Sequence, residues 1–410
     1  MTSPPKLTDD LPMTPGAPRL PDYGGGSLAD VLPAVLRALG VPPSAAGPSA
    51  RGRAAAPSDE PHDGLPVGEL DKASRVCVLL VDGLGASALA DHATYAPVLT
   101  SLAARPGSRT ITSVFPTTTP IALTSLGTGM TPGEHGITGL LMRLPDGTQV
   151  NTLALPSVVD LATLQPRPTA FERASAAGVA VTRVGPRRFD GAGLTQAGLR
   201  GGAYAAAETS LVSVAAAGAA VRRGERSLTY VYYGDLDRVG HRKGCGSAAW
   251  RAELRAVDAY VGQLRDALPS GSTLLVTSDH GMLDVGLEDR WDVATTPELD
   301  AGTELVGGDL RGVHVWVRPG AGPDVVAAWR AVIGEHFWVG SRDEAVTAGL
   351  FGPIVSTDAL GRIGDVVCAA VGGRNLADSR VQPADLLTLV GMHGGLTAAE
   401  LEVPLLVSRV

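Results

Sequence analysis

The sequence predicts an α/β fold in which a mostly parallel central sheet lies between helices. Two observations carry that prediction. Short apolar runs at 75–81, 179–184, 228–233 and 273–277 alternate with stretches long enough to form helices, the pattern of parallel strands joined by crossovers and covered on both faces. Several of these runs end in an acidic residue, a histidine or a glycine turn, which is the edge where open α/β sheets bind ligands. Composition agrees: 44% of the 410 residues are apolar but only 4% aromatic, and 52 Gly and 30 Pro imply many turns and small side chains in the packing.

Taken in order, residues 1–22 are rich in Pro, Thr and Asp and are expected to be extended. SLADVLPAVLRALG at 27–40 places Leu28, Val31, Leu32, Val35, Leu36 and Leu39 on one helical face, with Ser27 as cap and Gly40 as stop. A Pro/Ala/Gly-rich linker at 41–65 follows, so residues 1–70 form an N-terminal extension. RVCVLLVDGLG at 75–85 is a buried strand ending in Asp82 and a glycine turn, and a helical pattern comes next. Further strands are expected at Ile111–Val114, Val179–Val184, Leu228–Tyr233 and Thr273–Thr277. Helices are expected over AAAETSLVSVAAAGAAVRRG and GSAAWRAELRAVDAYVGQLRDAL. The core is assigned to 71–285 and 386–410. Between them, GVHVWVRPG, PDVVAAWRAVIG, FWVG and GDVVCAAVGG read as a small α+β insertion or cap over 286–385.

A net charge of -8, with lysine only at Lys6, Lys72 and Lys243, leaves no electrostatic footprint for a nucleic-acid duplex. Cys77, Cys245 and Cys368 show no C-x-x-C spacing, which favours a reducing compartment. The N-terminus lacks a secretory pattern, and no apolar run reaches membrane-spanning length. A cytoplasmic protein without a membrane partner is the expectation.

Four places can carry chemistry. Asp279 and His280 stand together at the end of an apolar run, in SDHGM. Asp237 and His241 are spaced so that one helical turn brings carboxylate and imidazole to the same side, with Asp235 competing for the acidic role. Asp82 ends the first strand, and His393 sits between apolar and glycine residues in VGMHGGL. Three of eight histidines and three aspartates at one sheet edge make a nitrogen/oxygen donor set for two divalent ions, and the share of imidazole favours zinc over magnesium. In FPTTTP, Pro120 suits the first helical position and makes Thr119 the N-cap. A hydroxyl at such a helix start can serve as a plain cap, or as a nucleophile on a phosphoryl group.

VDGLG at 81–85, FPTTTP at 115–120, TGMTPGEHGITG at 128–139, DLDRVGHRKG at 235–244, SDHGM at 278–282 and MHGG at 392–395 together resemble the alkaline phosphatase superfamily. Within it, the likeness is greatest to the type I nucleotide pyrophosphatase/phosphodiesterase family. The resemblance implies an alkaline-phosphatase-like core and two Zn2+ ions, with Mn2+ as an alternative. It assigns one ion to Asp237, His241 and His393, and the other to Asp82, Thr119, Asp279 and His280. It also implies Thr119 as nucleophile through a phosphothreonine intermediate, with Thr118 as the fallback. The substrate it implies is a small phosphorylated molecule, a phosphodiester or nucleotide pyrophosphate. His135 is expected to be structural, Asp235 to be supporting, and Arg187 and Arg188 are candidates for anionic substrate groups. Ala122 departs from the pattern, because diesterases of this family usually carry Asn there. The alternatives are a phosphomonoesterase or phosphonate hydrolase with the same metals, or a noncatalytic metal-stabilised binding protein. The absence of Cys or Ser at the nucleophile position argues against a sulfatase, and Thr119 with a short interval after it argues against a phosphoglycerate-type mutase.

Overall fold

Seven strands form the main sheet, in the order Arg109–Thr112, Glu402–Arg409, Thr273–Thr277, Arg75–Val81, Ser227–Tyr233, Ala180–Gly185, Ala203–Ala206. The computed structural model describes residues 20–43, 70, 73–156 and 159–410. The expected extended segment at 1–22 and linker at 41–65 therefore lie almost entirely outside the described residues. Neighbouring strands from 273–277 across to 203–206 pair in parallel, so their C-terminal ends share one edge. Glu402–Arg409 runs antiparallel to both its neighbours. The sequence pattern does not announce this last strand, because Pro404 interrupts its donors, a placement tolerated near a sheet margin.

Both faces of the sheet are buried, and the first strand shows it. Val76, Val78 and Leu80 pack with Ile121, Leu126 and Phe171, whereas Cys77, Leu79 and Val81 pack with Trp250, Leu254 and Val257 on the opposite side. Two-sided burial explains why the strand reads as an uninterrupted apolar run. The helices Ser210–Val221 and Ala248–Ala267 cover one face, and Thr119–Thr128, Ala170–Ala176 and Gly193–Gly198 cover the other.

The N-terminal helix packs on that second face. Ser27 and Asp30 form a capping box around a 3-10 turn at Leu28–Asp30, which leads into the helix Val31–Ala38. Pro33 falls in the first α-helical turn, where its missing N–H costs no intrahelical bond.

A second sheet of four antiparallel strands has the order Thr303–Gly308, Gly312–Val317, Val366–Ala370, Phe337–Ser341. Trp329 and Ile333 of the helix Gly322–Ile333 pack with its Val313, Val315 and Phe337. A two-residue pairing, Leu283–Asp284 with Gly391–Met392, brings the chain before His393 against the turn that carries Asp279 and His280. No helix among the described residues is long and apolar enough to cross a membrane, and all three cysteines are unbridged.

Candidate metal centre and active site

Strand polarity assembles the site. Asp82 follows the strand Arg75–Val81, Asp279 and His280 follow Thr273–Thr277, and the helix Asp235–Lys243 follows Ser227–Tyr233. Because these three strands are parallel neighbours, the residues that follow them meet at one edge. His393 arrives from the 391–395 loop, and its ring stacks on His280 with centroids 3.6 Å apart.

Two clusters result: Asp82, Asp279 and His280, all buried, and Asp237, His241 and His393, partly open. In each, one donor atom per residue lies within 4.8 Å of the others. His280 Nε2 is 3.6 Å from Asp82 Oδ1 and 3.4 Å from Asp279 Oδ2. His241 Nε2 is 3.3 Å from Asp237 Oδ1, and His393 Nε2 is 3.9 Å from the same oxygen.

The hydrogen bonds around these groups fix them while leaving one donor atom bare on each. Asp279 Oδ1 accepts from the backbone N–H groups of Gly83 and His280, at 3.2 and 3.1 Å. Asp82 Oδ2 accepts from the Tyr232 hydroxyl at 2.5 Å. The opposite oxygens, Asp82 Oδ1 and Asp279 Oδ2, are buried without a hydrogen-bond partner, and so is Asp237 Oδ1. The imidazoles show the same division. His241 Nδ1 donates to the Gly391 carbonyl at 2.7 Å, His393 Nδ1 to that of Thr117 at 2.9 Å, and His280 Nδ1 to that of Gly281 at 3.1 Å. Each ring thereby presents an Nε2 lone pair to the site: that of His280 meets the Thr119 hydroxyl, and those of His241 and His393 face each other at 3.2 Å. Three unpartnered carboxylate oxygens and three imidazole lone pairs converging in a buried space are repulsive among themselves. The donor set fits two divalent cations, each held by carboxylate and imidazole, with the remaining ring nitrogens on backbone carbonyls.

Protonation behaviour follows the same crowding. Burial, then the charges of Asp279 and Asp237, push the Asp82 carboxyl well above its ordinary range. Asp237 is also raised by burial, against the pull of His241. Burial and the neighbouring imidazoles His280 and His241 push His393 well below the usual histidine range. A bound cation would reverse this logic by favouring the carboxylate and the neutral imidazole.

The three threonines divide three tasks. Thr118, not Thr119, is the N-cap: its carbonyl accepts from Ala122 N at 3.0 Å, so the helix Thr119–Thr128 begins one residue earlier than the Pro120 rule suggests, with Pro120 at its second position. Thr119 is thus freed from capping, and its hydroxyl lies 3.2 Å from His280 Nε2. Thr117 anchors the loop of His393. Its hydroxyl donates to the Gly395 carbonyl at 2.8 Å and accepts from Gly394 N at 2.9 Å, and its carbonyl orients His393. The Thr118 side chain bonds to Asp309, a buried acid from the second sheet that sequence reasoning missed because it stands in no recognisable motif.

Other expectations resolve by geometry. His135 donates from Nε2 to Ser125 Oγ at 2.8 Å and accepts at Nδ1 from Ile137 N at 3.1 Å, so it is a neutral, fully satisfied structural group. Asp235 is half-exposed and pairs with Arg238 at 2.8 Å, which leaves the inward position to Asp237. Ala122 is fully buried in the apolar cluster with Ile121 and Leu126, where an Asn amide would have to be desolvated. Arg187 and Arg188 are exposed, and Arg188 stacks on Phe189. A cavity that opens beside Thr119 is lined instead by Arg183, together with Leu123, Phe189, Tyr204, Tyr230 and Tyr232.

The sequence profile of the type I phosphodiesterase / nucleotide pyrophosphatase family matches residues 76–396. The chain belongs to this family. Family membership places the chain in the alkaline phosphatase superfamily and covers every residue of both clusters. Among solved structures, murine ectonucleotide pyrophosphatase/phosphodiesterase 5 superposes with a TM-score of 0.64 at 18% identity, covering 81% of this chain and 87% of that one. Phosphonoacetate hydrolase from Sinorhizobium meliloti 1021, solved with phosphonoformate, gives a TM-score of 0.62 at 21% identity, over 82% of this chain and 90% of the other. At such identities the likeness is one of fold. A 2,3-bisphosphoglycerate-independent phosphoglycerate mutase of Cyanothece sp. is 40% identical over 111 residues, 26% of this chain. The chain spans only 19% of the length of that curated relative.

Proposed function

We propose that this family member hydrolyses phosphoric esters, of phosphodiester or nucleotide pyrophosphate type, with Thr119 as nucleophile beside a pair of zinc ions. The observation that carries the reading is the Thr119 hydroxyl, 3.2 Å from His280 Nε2 at a helix start, beside carboxylate oxygens that no protein group satisfies. Asp82, Asp279, His280 and Thr119 would hold one ion, and Asp237, His241 and His393 the other. When bound, the ions lower the pKa of the threonine hydroxyl and offset the charge of the phosphoryl oxygens.

The chain's own groups do the rest. Thr119 Oγ1 attacks phosphorus, the ester P–O bond breaks, and the alcohol side leaves with the electron pair. Water then cleaves the phosphothreonine and restores the hydroxyl. The cap geometry matters here, because a threonine occupied in capping would have its hydroxyl turned back onto its own helix. The murine relative has also been solved in an inactive form with AMP, which agrees with a nucleotide-type substrate for that protein.

The test is turnover by the zinc-loaded protein of bis(4-nitrophenyl) phosphate, with 4-nitrophenyl phosphate and a 4-nitrophenyl phosphonate ester alongside. Thr119→Ala is expected to abolish hydrolysis while metal content stays near that of the wild type. Undiminished turnover by this variant would remove Thr119 from the mechanism. Zinc binding without turnover of any of the three esters would favour a noncatalytic metal-stabilised protein.

A further inference from the structure

The cavity beside Thr119 holds two buried polar side chains with atoms that no group among the described residues satisfies. Arg183 is only 6% exposed, yet its Nε and Nη1 have no hydrogen-bond partner. Tyr230 is 3% exposed, and its hydroxyl has none either. Sheet register explains why they come together. Arg183 pairs with Tyr230 on one side and with Tyr204 on the other, so the three side chains point to the same face in one row. Tyr232, two residues beyond Tyr230 and bonded to Asp82, carries this face to the edge where Thr119 stands. Gly185, two residues beyond Arg183, adds no side chain, and a Cβ there would meet the Tyr204 hydroxyl at 3.0 Å and Tyr232 Cβ at 3.9 Å.

Arg183 is held as well as buried. Its guanidinium lies over the Tyr204 ring, 5.5 Å from the centroid, and Tyr204 is anchored by donation to the Pro186 carbonyl at 2.8 Å. Asp190 offers Arg183 a nearby negative charge, but Nε and Nη1 still lack an acceptor, and a buried guanidinium N–H without one is costly, as is a buried phenol without an acceptor. Both costs vanish if one ligand group accepts from both. The group must be an anion, and its shape is also constrained. Among the described residues, Arg183 is the only cationic side chain lining the cavity, whose other walls, Thr119 and Thr195 apart, are apolar and aromatic. A planar monoanion matches the guanidinium fork, whereas a dianion would be left half compensated.

We propose that Arg183 and Tyr230 receive a carboxylate on the organic part of the substrate whose phosphoryl group meets Thr119. The proposal rests on the reading of Thr119 as the site of phosphoryl transfer, and it narrows the substrate to phosphoric esters bearing a carboxylate. Arg183 and Tyr230 are then specificity-determining residues that set which ester is bound, and they take no part in bond making.

The experiment uses the zinc-loaded full chain and three matched aryl phosphodiesters that differ only at the para position: carboxylate, carboxamide and phosphonate. The wild type is expected to favour the carboxylate over the carboxamide by about 10- to 100-fold in kcat/KM, the range for a hydrogen-bonded charge. In Arg183→Met that ratio falls towards one, and in Tyr230→Phe it falls by a smaller factor, about 2- to 10-fold. Ratios unchanged in both variants, or a wild-type preference for the phosphonate, would overturn the proposal. Should Arg183→Met fail to fold, Arg183→Lys and Tyr230→Phe carry the same comparison. Binding of 4-carboxyphenylphosphonate and its carboxamide, read by calorimetry, separates the two readings. A carboxylate preference that Arg183→Met removes, without turnover of any ester, keeps the carboxylate site and sinks the phosphoryl-transfer reading. Equal binding of the pair by the wild type sinks the carboxylate site alone.

Discussion

Arg311 and Glu400 form a fully buried ion pair, with Arg311 Nε and Nη2 donating to the two carboxylate oxygens at 2.7 and 2.8 Å. Arg311 gives two further donors to the Arg374 and Gly372 carbonyls, and Glu400 also accepts from Gly395 N and the Thr397 hydroxyl. The pair thus ties the second sheet to the loop that carries His393. Removing one partner leaves a buried charge alone, so Arg311→Met is expected to cost about 3–5 kcal/mol in a urea titration. Replacing both, as Arg311→Met with Glu400→Leu, should recover much of that loss. A single variant as stable as the wild type would show that the pair has no structural weight.

His393 is expected to be needed for one ion and not the other. Elemental analysis of His393→Ala should find about one metal equivalent where the wild type is expected to hold about two, since the substitution breaks the Asp237/His241 cluster and leaves Asp82, Asp279 and His280 complete. Stripping both ions with a chelator should lower the melting temperature, because a ligand bound only by the folded state stabilises it by mass action. Two full equivalents in the variant would contradict the division into two clusters.

Tyr232→Phe removes the donor that fixes Asp82 Oδ2 and leaves the carboxylate itself in place. Losses of about 10- to 100-fold in metal affinity are usual when such an outer partner is removed. Competition with a fluorescent chelator measures it. Unchanged affinity would mean that burial alone positions Asp82.

His135 gives a pH dependence with a definite sign. Burial, helped by Arg362, lowers its pKa from 6.5 to about 3, so the unfolded chain takes up the proton first. This contribution to stability is fully present above about pH 6.5 and is lost as pH falls towards about 3. At pH 5 the loss is about 2 kcal/mol. Urea titrations of metal-free wild type and His135→Gln at pH 7 and pH 5 isolate it, since the variant lacks this proton. Equal pH sensitivity in the two proteins would refute the assignment.

Much of the site was legible in the sequence because its residues stand at strand ends, where an apolar run stops and a glycine turn begins. Asp82, Asp279 and His280 follow from that pattern alone, and the i, i+4 spacing joins Asp237 to His241. Asp309, Tyr232 and the Arg311–Glu400 pair were not legible, since each acts through a partner distant in sequence: Tyr232 reaches Asp82 across 150 positions, and Arg311 reaches Glu400 across 89. The cap was misplaced by one residue, because Pro at the first or second helical position satisfies the same local rule.

Local patterning therefore determined the α/β class, the strand ends and the types of donor they carry, because periodicity and turn chemistry are properties of neighbouring residues. Tertiary structure decided which threonine is free, which oxygen of each carboxylate stays bare, and that Arg183 rather than Arg187 or Arg188 faces the cavity. Those outcomes depend on register and packing between strands far apart in the chain, and a single strand read alone contains no record of its neighbour.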